Sequence, residues 1–424
     1  FLEQGPTPIE FYLTGIDKEL FTVEDIYNII GYMAFNFAQA HKTDPLLSAL
    51  KKDLGDPYLR SLVMASDTST VWIKNHAPVT ATDSIKNTVM AMTTKALAKL
   101  PVPLFEGSNS WVIAPNKTKN GKVILANDPH IGFAQPSVWY EAHIKTTGYE
   151  KYGYHLGGVP FPLLGHNRKT AYGLTMFQND DMDFYVEENH PTDSTKYKTE
   201  TGWATYEYIT KTIQVKDGDP VSFTYKKSRH GPIMNDFADQ IKSDRPVAMS
   251  WKYTQPKNEL LQALYGISHA NNLDQFKSAL PKIHAPGLNI MYGDAEGNIA
   301  WWATAQLYKM PDSLSTKLFL DGSSGTQEPL EQLAFDKNPQ AINPPWHYVY
   351  SANNQPDSIA SGVYPGYYLP ENRAKRIVTL LESKNDWDLA TNQEMILDVT
   401  SAVNPEIMLH LLQAMEVTDI TEAQ

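Results

Sequence analysis

Gly107-Ser108-Asn109-Ser110-Trp111-Val112-Ile113 sets a serine behind a glycine at the start of an extended apolar run. A serine hydroxyl attacks poorly unless a base takes its proton, so Ser108 matters only through what accompanies it. Some twenty residues later comes Ala126-Asn127-Asp128-Pro129-His130-Ile131-Gly132. Gly165-His166-Asn167 and Asn179-Asp180-Asp181-Met182-Asp183 follow, then Ser351-Ala352-Asn353-Asn354-Gln355-Pro356 and Glu371-Asn372-Arg373. The three carboxylates at 180, 181 and 183 repel one another unless a cation or basic group compensates. Calcium takes six to eight oxygens, which carboxylates and backbone carbonyls provide, so a metal-dependent hydrolase built on this cluster is one reading. The G-x-S-x-G elbow, P-loop, H-E-x-x-H pair and G-x-G-x-x-G turn are all absent, and Gly322-Ser323-Ser324-Gly325 has the spacing of a turn.

In this order and spacing the segments resemble the penicillin acylase (penicillin amidase) family of N-terminal-nucleophile hydrolases, from about Leu13 to about Ile377. The resemblance implies a precursor that cuts itself between Gly107 and Ser108. Residues 1–65 are then the helical end of the α chain, 66–107 a linker or spacer peptide, and 108–424 the catalytic region of the β chain. It also implies an α+β fold, the four-layer α-β-β-α sandwich with antiparallel sheets, incomplete at both ends here. The chemistry it implies suits these residues. Once Ser108 is a chain terminus, its α-amine has a reference pKa near ~7.7 and can take the hydroxyl proton at neutral pH. Before the cut that nitrogen is locked in the peptide bond to Gly107, and glycine tolerates a bent, strained backbone there.

By the same resemblance the Asn353 amide and the Met176 backbone N–H are the oxyanion donors. His130 holds the position of a residue whose backbone touches the nucleophile, and Arg373 that of an arginine supporting Asn353 and the amine. A structural calcium falls to Asp180, Asp183 and the Met182 carbonyl. The family's remaining ligands map near Thr43 or Asp44 and into the Ser361–Tyr368 loop, which holds no aspartate. Met33, Phe37, Ile131, Val138, Leu164, Leu174 and Leu288 fall at acyl-pocket positions, and all are apolar, which favours an aromatic or aliphatic acyl group. The implied activity is removal of an apolar acyl group from N-acylated small molecules, with no organic cofactor, by α and β chains from one precursor that is periplasmic or secreted. N-acyl homoserine lactones are the alternative substrates. A non-catalytic, unprocessed binding protein on the same scaffold is the rival.

These residues need elements to position them. Thr22-Val23-Glu24-Asp25 reads as a helix N-terminus before the apolar stretch Ile26 to Phe37. A second helix is expected over Leu46–Lys52, with Pro45 in its first turn. Prolines 101 and 103 forbid a continuous helix and mark a linker. From Ser108 the period becomes strand-like. Strands are expected at 111–113, 122–126, 138–144, 170–175, 206–215, 221–225, 247–251, 289–292 and 299–303, the last two as a hairpin around Asp294-Ala295-Glu296-Gly297. Helices are expected over 259–267, 273–280, 373–381, 392–403 and 406–415. Helices, then many strands, then helices indicate a layered α+β chain.

Composition narrows the classes. At 424 residues, 42% hydrophobic and 20% charged, the chain can bury a sizeable core. A net charge of −12 repels phosphate backbones, and Lys226-Lys227-Ser228-Arg229 is too short to make a nucleic-acid surface. With no cysteine, disulfides, thiolate metal sites and cysteine nucleophiles are excluded, which suits an exported protein. No apolar run approaches the ~20 residues that span a bilayer.

Overall fold

The computed structural model describes residues 4–55, 57, 71–76, 105–241, 243–255, 257–311, 314–357 and 364–415. It opens with helices α1 (Ile9–Thr14), α2 (Val23–Phe37) and α3 (Ala40–Leu54). Strands β1 (Phe105–Ile113), β2 (Ile124–Ile131), β3 (Trp139–Thr146), β4 (Tyr149–Leu156), β5 (Leu164–His166), β6 (Thr170–Met176) and β7 (Met182–Val186) follow. Two hairpins come next, β8 (Lys196–Thr199) with β9 (Gly202–Thr205) and β10 (Glu207–Ile213) with β11 (Val221–Lys227), then β12 (Val247–Trp251). Helices α4 (Leu260–His269) and α5 (Leu273–Ala279) lead into β13 (Leu288–Asp294) and β14 (Ile299–Thr304). Five short strands close the sheets: β15 (Tyr308–Lys309), β16 (Leu320–Asp321), β17 (Glu331–Gln332), β18 (Gln340–Ile342) and β19 (Tyr348–Ser351). Helices α6 (Asn372–Glu382), α7 (Leu389–Ile396) and α8 (Asn404–Ala414) end the described chain.

The expected four layers form. An antiparallel seven-stranded sheet runs β18-β14-β13-β6-β5-β4-β3, and a three-stranded sheet β19-β1-β2 packs on it. Alternation along each strand assigns its faces. On β13, Ile290 and Tyr292 point to a cluster shared with Ile30 and Met33 of α2, Ile267 of α4 and Phe276 of α5. Met291 points the other way, into a cluster with Trp111, Trp301 and, on α6, Ile377 and Leu381. On β1, Val112 lies against Gly293 of the larger sheet, whereas the Trp111 indole donates to Asn392 of α7. Ser108 and Ser110 share Val112's face, so the nucleophile candidate points between the two sheets.

Local chemistry explains most boundaries. Thr22 and Asp25 form a reciprocal cap on α2, the Asp25 N–H donating to the Thr22 hydroxyl and the Thr22 N–H to the Asp25 carboxylate. Helix α3 departs from expectation: it starts at Ala40, so Pro45 lies inside it. Proline has no N–H for the His41 carbonyl, and Gln240 Nε2 donates to that carbonyl instead at 3.3 Å. Helix α7 also differs from the expected span, beginning at Leu389 because Asp388 and Thr391 cap it and ending at Ile396. Strand β1 starts at Phe105, ahead of the Gly107–Ser108 bond. Of the expected spacer 66–107, residues 66–70 and 77–104 lie outside the described residues. The segment 71–76 bridges to Pro356 and Ala341, with Ile73 fully buried.

Candidate active site

Strand pairing aligns the motif segments. In the β1–β2 register Gly107 faces His130, Ser108 faces Pro129 and Asn109 faces Asp128. Residues directly opposite share a face, so the His130 and Asp128 side chains lie with Asn109, on the side away from the Ser108 hydroxyl. There His130 Nε2 and Asp128 Oδ2 pair at 3.0 Å. That hydrogen bond, with a smaller pull from Arg373, holds the Asp128 carboxyl below its usual range despite partial burial. The His130 backbone lies across the ladder from Gly107.

On the inner face the Ser108 hydroxyl oxygen accepts from Asn353 Nδ2 at 3.1 Å and from the Met176 N–H at 3.4 Å. The Ser108 N–H donates to Asn353 Oδ1 at 2.7 Å, so one amide grips both the nitrogen and the hydroxyl of this residue. Asn353 is fully buried and sits at φ 63°, a left-handed conformation that asparagine tolerates better than most residues. Arg373, at the start of α6, donates to the Ser108 carbonyl at 2.9 Å and also to the Asn109 amide oxygen. Its other terminal nitrogen reaches the Ala352 carbonyl at 2.8 Å and Asn353 Oδ1 at 3.0 Å. Burial depresses the guanidinium pKa, and Asp128 partly restores it. A Cβ on Gly107 would stand 3.2 Å from this guanidinium and 3.4 Å from Asn353 Oδ1, so a larger residue there would push the arginine aside by a few tenths of an ångström. Asn127 ties the sheets together: its amide nitrogen reaches the Asn109 and Leu174 carbonyls and its oxygen accepts the Leu174 N–H, beside Gly173, whose missing Cβ leaves room for it.

Ser108, Met176, Asn353 and Arg373 therefore converge. The apolar set behaves differently. Met33, Phe37, Leu164, Leu174 and Leu288 are buried in one cluster on the helix-covered face of the seven-stranded sheet, with Val138 packed at its margin. Ile131 ends β2 and is not part of that cluster.

A second buried polar region lies along β7. Asp180, Asp181 and Asp183 are all buried, and Asp44 of α3 joins them. Burial raises all four carboxyls above their usual range, and mutual repulsion adds to it. Asp44 Oδ1 accepts from the Tyr367 hydroxyl at 2.6 Å, while its Oδ2 and both Asp180 oxygens are buried without a well-formed hydrogen bond. Lys252 lies 3.5 Å from Asp183, and Lys317 offsets Asp180 and Asp44 in part. Were all four carboxyls ionised, the two ammonium groups would leave two negative charges, the charge and donor type a calcium ion would match. Among the described residues no three carboxylate or imidazole groups stand close enough to hold a metal as they are.

Two features of these sites are not in the sequence reading. Asn289 and Thr175 sit in buried strands behind the Met176–Asn353 pair. The signal for Asn289 is a lone amide in the run Leu288-Asn289-Ile290-Met291-Tyr292, where all five residues are buried.

The chain is 28% identical over 348 residues to the acyl-homoserine lactone acylase QuiP of Pseudomonas aeruginosa, covering 75% of this chain and 39% of that protein. It is 28% identical over 279 residues to penicillin G acylase of Escherichia coli, covering 65% of this chain and 32% of that one. The structure superposes on a thermostable penicillin G acylase from Alcaligenes faecalis with a TM-score of 0.60 at 26% identity, over 68% of this chain and 51% of that chain. The chain thus spans well under half the length of the curated relatives named here. No helix among the described residues is long and apolar enough to cross a membrane. The penicillin amidase family matches residues 1–424, and the chain belongs to that family.

Proposed function

We propose that the protein is a self-activating amide hydrolase in which Ser108 is both nucleophile and, through its freed amine, base. The observation that carries this reading is the convergence of the Asn353 amide and the Met176 N–H on the Ser108 hydroxyl. In the uncut chain the Ser108 nitrogen is an amide that donates to Asn353 and cannot accept a proton. Activation is attack of the hydroxyl on the Gly107 carbonyl carbon. The new C–O bond replaces the C–N bond, and the hydroxyl proton ends on the departing nitrogen. Water then splits the ester, leaving a Gly107 carboxylate and a Ser108 with free amine and hydroxyl.

Catalysis repeats the attack on a substrate amide. The amine takes the hydroxyl proton as the C–O bond forms, and the Met176 N–H and Asn353 Nδ2 hold the oxyanion. The proton passes to the leaving amine, and water, activated by the same base, releases the acid. Arg373 orients Asn353 and the Ser108 carbonyl, and the His130 backbone lines the cut side. The acyl group is apolar and enters beside Met33, Phe37, Val138, Leu164, Leu174 and Leu288, with Ile131 at the β2 end. N-acyl homoserine lactones and penicillin-type amides are the substrate classes, supported by the relatives named above. Asp180, Asp183 and the Met182 carbonyl, joined by Asp44, would hold a structural calcium that neutralises the buried cluster. The active species is an α chain and a β chain cut from one precursor, as the name of a relative, penicillin acylase 2 proenzyme, implies for that protein. A periplasmic or extracellular site of action fits the absence of cysteine.

Replacing Ser108 with alanine in the full-length precursor tests this. The variant is expected to stay as one chain on a denaturing gel and to hydrolyse neither phenylacetyl nor octanoyl p-nitroanilide, while the unmodified protein gives a chain beginning Ser-Asn-Ser-Trp. Two chains from the alanine variant would overturn the proposal.

A further inference from the structure

Behind the two oxyanion donors lies a buried relay of neutral groups. The Trp301 indole N–H donates to Asn289 Oδ1 at 2.9 Å. An indole nitrogen only donates, so it fixes which end of the Asn289 amide is oxygen. The other end, Nδ2, then donates to the Met176 carbonyl at 3.0 Å and to the Ser351 hydroxyl at 3.2 Å. Ser351 Oγ also accepts the Asn353 N–H at 3.2 Å. With both its acceptor sites used, that hydroxyl gives its proton to Thr175 Oγ1, 2.6 Å away. Asn353 Nδ2, finally, donates to the same Met176 carbonyl at 3.0 Å. Asn289, Thr175, Ser351, Trp301 and Asn353 are all essentially without solvent exposure.

Resting on the reading of Ser108 above, we infer that Asn289 is the positioning residue of the oxyanion hole. The Met176 N–H belongs to the peptide between Thr175 and Met176. Asn289 anchors that peptide from both sides, holding the Met176 carbonyl directly and the Thr175 hydroxyl through Ser351. Through Ser351 it also holds the backbone N–H of Asn353, whose left-handed conformation is otherwise unfavourable. One amide thereby fixes the spacing of two donors that come from different sheets, Met176 from the larger and Asn353 from the loop after β19. A preorganised pair of donors stabilises charge in the transition state without moving at the moment of reaction, so loosening it lowers turnover rather than binding.

The test uses the full-length precursor and the better hydrolysed of phenylacetyl and octanoyl p-nitroanilide. Asn289→Leu keeps the volume and removes the relay. It is expected to cut kcat by about 30-fold with KM within threefold, and to slow chain cleavage on a denaturing gel by a similar factor. Ser351→Ala removes one hydroxyl and leaves the amide, and is expected to lower kcat by about fivefold. Circular dichroism and melting confirm that each variant is folded. A folded Asn289→Leu with kcat within threefold of the parent overturns the inference. If Asn289→Leu does not fold, Ser351→Ala decides, and unchanged turnover in that variant overturns it equally. The Ser108→Ala control separates the two levels: hydrolysis surviving there sinks the reading of Ser108 itself, whereas an inert Ser108→Ala beside a fully active Asn289→Leu sinks only the relay.

Discussion

Two buried polar regions flank β6 and β7, and they are built on opposite principles. Around Ser108 the groups are neutral amides, hydroxyls and one arginine, and each has its partners: Asn353 alone makes five side-chain or backbone hydrogen bonds to Ser108, Met176, Ser351 and Arg373. Around Asp180 the groups are carboxyls pushed upward by burial, and three of their oxygens have no well-formed hydrogen bond. A satisfied network is rigid and needs nothing added, whereas an unsatisfied charge cluster is a liability until a cation arrives. On the function proposed above, the first region is arranged for chemistry before the chain is cut, and the second is completed by a cation.

The sharpest way to break this contrast is to put charge into the satisfied site. Asn353→Asp keeps shape but replaces the Nδ2 donor with a charged oxygen that repels the Met176 carbonyl and can only accept from the Ser108 hydroxyl. Loss of one oxyanion donor costs about 10²- to 10³-fold, and the repulsion places this variant at the upper end. The measurement is kcat on the p-nitroanilide and the rate of chain cleavage, both expected to fall about a thousandfold. Near-normal rates would mean that the hole is not where the amide and the Met176 N–H meet.

How legible each region was in the sequence follows from the same contrast. The meeting of distinctive short segments was readable: Ser108, Asn353 and Arg373 lie within hydrogen-bond distance although 245 residues separate the first two. The layered fold was readable too, because β6, β12, β13 and β14 are apolar runs with turn residues between them. The relay was not, since Asn289 looks like one polar interruption in a buried strand and only register brings it opposite Thr175. Strand β4 (Tyr-Glu-Lys-Tyr-Gly-Tyr-His-Leu) escaped because adjacent charges and a glycine interrupt its tyrosines, and Lys151 is buried there against the Tyr172 ring. The resemblance pointed near Thr43 or Asp44 for a partner of the acidic cluster, and the fold of α3 shows which of the two it is: Asp44 Oδ1 accepts from Tyr367 while its Oδ2 is left without a well-formed hydrogen bond. The seven apolar pocket positions illustrate the limit of pattern reading. Their chemistry is identical to core, and six of them do pack as or against core.

The acidic region should respond in the opposite sense to losing a polar group. Asp180→Asn removes a carboxyl whose ionisation burial penalises in the folded chain, so the metal-free variant is expected to melt higher than the metal-free parent, by about 5 °C. Adding calcium should raise the parent's melting temperature by mass action and leave the variant nearly unmoved. Scanning calorimetry with chelator and with millimolar calcium gives all four values. If chelator instead abolished p-nitroanilide hydrolysis at once in protein that stays folded, the cluster would be catalytic rather than structural, and the contrast drawn here would fail.

The unsatisfied side of the contrast extends along α3 to His41, where the smallest effect is expected. Its ring stacks on Phe35 with centroids 4.3 Å apart, and neither ring nitrogen makes a well-formed hydrogen bond. Burial, helped by the neighbouring Lys42 charge, lowers its pKa to about 3, more than the Ala38 carbonyl restores. The unfolded chain therefore binds a proton below about pH 6.5 that the folded chain refuses. Stability from a neutral His41 is present above that pH and drains away as pH falls toward 3. The raised carboxyls nearby act the other way, losing stability as pH rises, so the comparison must be made variant against parent at each pH. His41→Phe keeps the stacking and removes the titration. It should melt with the parent at pH 8 and above it by roughly 2 °C at pH 4.5. A constant offset between the two curves would show that the folded protein protonates His41 as readily as the unfolded chain does, and that its surroundings are polar enough to belong with the satisfied region instead.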